Sequence, residues 1–138
     1  MTDLQAMLVA QEGLRLHVYT DSLGIETIGV GRNLRDKGIS EEEAVMLLNR
    51  DIVDAIEGVM HVCSVYSQLS RPRQLVLLSM SFNLGPRLGK FVRFLGAVHL
   101  GHWDEAADEM MQSKWATQVG QRAITLATMM RTDTSEWV

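Results

Sequence analysis

Two carboxylates nine residues apart, Glu12 and Asp21, have the clearest chemical potential in this 138-residue chain. Glu12 closes a stretch, residues 3–12, in which Leu4, Met7 and Leu8 recur at helical spacing, and Gly13 follows as a helix stop. The negative end of a helix dipole disfavours an ionised carboxyl, which suits Glu12 to donating a proton. Asp21 lies where an alternating stretch gives way to the turn sequence Asp-Ser-Leu-Gly. It is expected to be better solvated and ionised, which suits a base. Thr27, on the strand that follows, offers a hydroxyl to orient water. One protonated and one ionised carboxyl flanking a bond are what glycosidic hydrolysis needs. Glu26 is the internal rival to Asp21. Adjacent side chains on a strand face opposite ways, so with Thr27 toward a cleft Glu26 points away.

The elements that must hold these residues are legible from pattern. After the first helix, residues 14–33 run Leu-Arg-Leu-His-Val-Tyr-Thr, a turn, then the β-branched, glycine-rich Ile-Glu-Thr-Ile-Gly-Val-Gly, which reads as a small antiparallel hairpin. Gly29 and Gly31 weaken the second strand and point to a bend or a close approach. Ser40 with Glu43 three residues on forms a capping box for a long helix over about 41–60. Ser70 is expected to cap a further helix with Pro72 in its first turn, apolar nearly all round and so central. Shorter amphipathic helices follow at 91–100, 103–112 and 121–130. The methionines on them, Met110, Met111, Met129 and Met130 among them, read as core filling. The expected fold is α+β and mostly α, one domain over 1–138 with two lobes. The small sheet lobe covers about 14–45, the long helix connects the lobes, and the helical lobe covers about 63–138 together with the helix at 3–12.

Composition narrows the function. The chain is 46% hydrophobic and 22% charged with a formal net charge of -4, which suits a globular domain and argues against a dedicated nucleic-acid binder. The charge is uneven: residues 71–102 hold five basic side chains and no acidic one, a basic face that could draw an anionic polymer. Cys63 stands alone, so packing rather than a disulfide must hold the fold. No signal peptide is read at the amino terminus, and no apolar run reaches the ~20 residues of a membrane span. His99 and His102, near Asp104, make a poor zinc signature, so neither metal nor cofactor is expected.

The residues Glu12-Gly13-Leu14-Arg15-Leu16, Tyr19, Asp21, Gly24 and Thr27-Ile28-Gly29-Val30-Gly31 resemble the signature of the phage-type lysozymes, family 24 of the glycoside hydrolases. The likeness continues through Leu48-Asn49-Arg50-Asp51, Phe82, Gly85, Trp103-Asp104-Glu105-Ala106-Ala107, Lys114-Trp115, Arg122-Ala123 and Arg131-Thr132, in the same order over nearly the whole chain. It implies a muramidase that hydrolyses the β-1,4 bond between N-acetylmuramic acid and N-acetylglucosamine of peptidoglycan with inversion. Glu12 would be the acid, and Asp21 assisted by Thr27 would activate water, with the carboxyls roughly 6.5–9.5 Å apart.

The resemblance also implies that Arg122 is a buried arginine reaching Glu12 and that Phe82 lines the substrate cleft. Where the family commonly has histidine after the glycine-rich strand, this chain has Arg32, expected to pair with Asp51. The segment between Gly31 and Leu47 is shorter than in the family's coliphage member, so the small lobe is expected to be trimmed. A monomer held in the host cytoplasm until lysis, and released to the wall through a holin-type pore, follows family habit. Two alternatives stay open: a lytic transglycosylase, which uses the glutamate without a water-activating base, and a non-catalytic glycan-binding protein on the same fold.

Overall fold

Thr2 starts the first helix. Its hydroxyl accepts from the Gln5 amide at 3.1 Å and the Gln5 side chain accepts from the Thr2 amide at 2.7 Å, a reciprocal cap that opens α1, Asp3–Glu12. Gly13, at φ +81°, ends the helix and donates its N–H to the Val9 carbonyl at 2.8 Å. The computed structural model, which describes residues 1–137, then forms an antiparallel sheet of β1, Arg15–Thr20, β2, Glu26–Gly29, and β3, Arg32–Asn33, in that order. The expected hairpin thus gains a short third strand, because Gly29 and Gly31 at φ +71° and +65° let the chain reverse again after β2.

Across the sheet, Tyr19 faces Thr27, Thr20 faces Glu26, and Thr27 faces Asn33. The register between β1 and β2 slips between Arg15 and Tyr19. Burial does not follow the alternation read in β1, for Leu16 and Val18, which share one face, are both exposed. Beyond β3, the Asn33 carbonyl accepts the amides of Lys37 and Gly38 in a turn. Ser40 then caps as expected: its hydroxyl accepts from the Glu43 amide and the Glu43 carboxylate accepts from the Ser40 amide, both at 3.1 Å. The capped helix is α2, Glu41–Val62.

The chain divides into two compact units, residues 1–47 and the remainder from Leu48, with α2 starting in the first. The second unit is helical, with α3, Arg71–Leu84, α4, Val92–Leu100, α5, Trp103–Met111, α6, Lys114–Val119, and α7, Gln121–Thr132. The central role expected of α3 holds, for Val76, Leu77 and Met80 are wholly buried. They join Val59 of α2, Phe94 and Val98 of α4, Met110 of α5, and Met129 and Met130 of α7 in one core. Met110, Met129 and Met130 fill that core with Met80 as expected, whereas Met111 is exposed, as are Met1, Met7, Met46 and Met60 elsewhere in the chain.

Ser70 precedes α3, but its hydroxyl donates to Asp133 and does not cap the helix. Nearby, Arg73 donates to the Met130 carbonyl at 2.9 Å and lies 4.0 Å from the Trp103 ring centroid. Asp133 also forms an ion pair with the Arg73 guanidinium at 3.6 Å, so the start of α3 and the end of α7 share these polar ties. The helix α6 was not legible as a separate element. Ser113 caps it by accepting from the Ala116 amide, and Gly120 ends it after only six residues, too few for a periodic signal.

Candidate active site

Glu12 is the last residue of α1, and the Gly13 turn leads from it directly into β1. Its carboxyl lies beside Gly31, between β2 and β3: the position a Gly31 Cβ would occupy is 3.0 Å from Glu12 Oε2. The close approach read from the glycines of the second strand is therefore made by the candidate acid.

Asp21 follows β1 and folds onto its own turn, half-buried where Glu12 is exposed, the reverse of the solvation expected of the two. Its Oδ1 accepts the amides of Leu23 at 2.8 Å and Ile25 at 2.9 Å, while its amide donates to the Ile25 carbonyl. Both donors fall on one oxygen. Among the described residues Oδ2 accepts no hydrogen bond, which leaves it open to a ligand or water.

Thr27 stands in β2 opposite Tyr19, only 3% exposed, and its hydroxyl donates to the Ile25 carbonyl at 2.9 Å. With that proton committed, the hydroxyl oxygen faces any further partner as an acceptor. Glu26, the rival carboxylate, is exposed while its neighbour Thr27 is buried, as strand alternation requires. Arg15 lies over the Tyr19 ring at 4.7 Å, a pair the sequence reading did not single out.

Arg32 corrects one expectation. Its two terminal nitrogens donate to the two carboxylate oxygens of Glu43, each at 2.9 Å, and NH1 also donates to the Gly38 carbonyl at 3.1 Å. The partner is Glu43, not Asp51. The physical reason is that the capping box holds the Glu43 carboxylate at the start of α2, eleven residues from Arg32, where it matches the planar guanidinium fork. The Arg32 hydrogen bonds and the Ser40 amide hold the Glu43 carboxyl below its usual range, and the same pairing raises Arg32. Glu43 was read as a cap, and the bidentate pairing with a strand residue left no periodic signal.

The remaining candidates belong to the second unit. Phe82 of α3 is 47% exposed and lines a cavity of about 1010 Å³ with Asp51, Glu57, His61 and Pro86. Arg122 of α7 is exposed rather than buried as expected, because its guanidinium reaches α3 and donates to the Ser79 carbonyl at 3.1 Å and hydroxyl at 2.9 Å. From the acid-free segment, Arg87, Lys90 and Arg93 line a cavity of about 680 Å³ with Lys114, Trp115 and the acidic Glu109. Arg73, from the same segment, is spent on Trp103 and Met130 instead. His102 pairs with Glu105 at 3.3 Å. Among the described residues no three His, Cys, Asp or Glu side chains cluster as metal ligands, and no helix is long and apolar enough to cross a membrane.

Known proteins resemble this chain over most of its length. Probable T4-type lysozyme 2 of Dictyostelium discoideum is 26% identical over 165 residues, taking in 97% of this chain and 96% of its own. An endolysin of Salmonella phage P22 is 32% identical over 120 residues, 79% of each chain. The pre-baseplate central spike protein of Enterobacteria phage T4 is 32% identical over 146 residues, 85% of this chain and 25% of that protein. The family model described as phage lysozyme matches residues 9–132, a span that takes in Glu12, Asp21, Thr27, Phe82 and Arg122. The chain belongs to the phage lysozyme family and is a glycoside hydrolase of the lysozyme type.

Proposed function

We propose that this protein is a muramidase that cleaves the β-1,4 bond between N-acetylmuramic acid and N-acetylglucosamine in bacterial peptidoglycan, with inversion. The observation that carries this reading is the contrast between the two carboxyls. Glu12 sits at a helix end against Gly31, whereas Asp21 has one oxygen fixed by two backbone amides and the other open. In the reaction Glu12 gives its proton to the bridging oxygen as the bond to C1 breaks. Asp21 takes a proton from water as the water oxygen bonds to C1 from the opposite face. The Thr27 hydroxyl, already donating to Ile25, accepts the water's second hydrogen and so orients it. The product is a new hydroxyl on the departing sugar and an α-configured hemiacetal at C1.

Product analysis tests this. Proton NMR of a peptidoglycan digest taken within the first minutes is expected to show the α-anomer of the new reducing end in excess, before mutarotation. Initial β-anomer, or 1,6-anhydro-muramic ends, would overturn the inverting hydrolase and favour retention or transglycosylation respectively. The biological setting we propose with it is host lysis: the protein acts on the host wall after release from the cytoplasm through a holin-type pore.

Arg122 belongs to this proposal as a supporting residue. Arg122→Ala is expected to shift the pH profile of hydrolysis and lower the thermal midpoint through loss of the Ser79 bonds, about 1 kcal/mol apiece. A lower midpoint with an unmoved pH profile would confine Arg122 to holding α7 against α3.

A further inference from the structure

Glu12 lies against Gly31 with more than its carboxyl tip. A methyl group on Gly31 would stand 3.0 Å from Oε2, 3.3 Å from Cδ and 3.5 Å from Cβ of Glu12. The first two are closer than comfortable van der Waals packing, so beside a residue with a Cβ the carboxyl would have to give by a few tenths of an ångström. Gly31 also has φ +65°, a conformation that L side chains rarely adopt. Gly29, at φ +71°, has nothing within 4 Å of the corresponding position. Backbone conformation therefore explains glycine at both sites, and room for Glu12 is a second requirement specific to Gly31.

The surroundings of Gly31 are firmly held. Its neighbour Arg32 pairs with Ile28 in the β2–β3 ladder and grips Glu43 and the Gly38 carbonyl. The movable party is the end of the Glu12 side chain. An added methyl would displace the carboxyl before it displaced the backbone.

We propose that Gly31 is a positioning residue, whose missing side chain sets where the Glu12 carboxyl meets the glycosidic oxygen. The inference rests on the reading of Glu12 as proton donor. Gly31→Ala is expected to lower kcat about 10- to 100-fold with KM nearly unchanged, because proton transfer tolerates little misplacement. It should also move the pH profile and shift the Glu12 side-chain carboxyl resonance in carbon-13 NMR. Gly120→Ala is the matched control. At φ +57° with nothing within 4 Å, it carries the backbone strain alone. It should lower the thermal midpoint while leaving kcat, pH profile and the Glu12 resonance in place.

Glu12→Asp shortens the side chain by one methylene and withdraws the carboxyl from Gly31. Adding Gly31→Ala to that variant is expected to cost less than threefold in the residual kcat, a non-additivity that reports the contact. Both backgrounds carry the same backbone strain at residue 31, so the comparison isolates the contact with Glu12. Equal cost in both backgrounds, or an unmoved Glu12 resonance in Gly31→Ala, would overturn the positioning role. Glu12→Gln separates the two claims: wild-type turnover there sinks the proton-donor reading and the positioning role with it. An inactive Glu12→Gln beside a fully active Gly31→Ala sinks the positioning role alone.

Discussion

Glu12→Gln is expected to lower the rate of peptidoglycan hydrolysis by about 10²- to 10⁴-fold without unfolding the protein. The substitution keeps the length and planar end of the side chain, so it can still lie against Gly31, and it removes only the transferable proton. Nothing in α1 depends on the carboxyl, because Thr2 and Gln5 cap its start and Gly13 closes its last turn. The thermal midpoint should therefore stay within a few degrees of wild type. A turbidity assay on purified cell walls, read with circular dichroism on the same samples, measures both quantities. Clearing at the wild-type rate by a folded Glu12→Gln variant would remove Glu12 from the chemistry.

The local order of the first unit was legible because each step has a short-range cause. Gly13 stops a helix, Asp-Ser-Leu-Gly makes a turn, and Ser40 with Glu43 makes a cap, all within a few residues of chain. The exposure of Glu26 beside buried Thr27 likewise needed only strand alternation. What escaped was side-chain pairing across longer separations. Arg32 chose Glu43, already occupied as a cap, because one carboxylate can accept from a guanidinium fork and a backbone amide together. The resemblance supplied Asp51 from a histidine pairing, and a longer, forked cation need not keep that partner. Arg122 shows the same limit, since the hydroxyl and carbonyl of Ser79 carry no sequence signature as an arginine site. In the second unit the helical period located α3, but Ser70 served Asp133, 63 residues away, instead of its own helix.

Asp21→Asn is the stricter test of mechanism, because it separates removal of the base from damage to the turn. Asparagine can keep a carbonyl oxygen at the Oδ1 position, where it would still accept from Leu23 and Ile25, while its amide replaces the open Oδ2. The turn should survive, and with it the pairing of Thr20 with Glu26. Hydrolysis is expected to fall about 10²- to 10⁴-fold, since the attacking water loses the group that takes its proton. Asp21→Ala should match that loss in rate and also lower the thermal midpoint, because two backbone amides then lose their acceptor. Sodium azide supplies a nucleophile that has no proton to surrender. It is expected to restore turnover in Asp21→Asn and to yield an α-glycosyl azide, since attack still comes from the face opposite the departing sugar. Glu12→Gln should gain nothing from azide, because its defect lies at the leaving group. A transglycosylase closes the ring with the substrate's own hydroxyl, so it would retain activity in Asp21→Asn and release anhydro ends. That outcome, with azide absent from the products, would replace hydrolysis by transglycosylation as the reaction of this site.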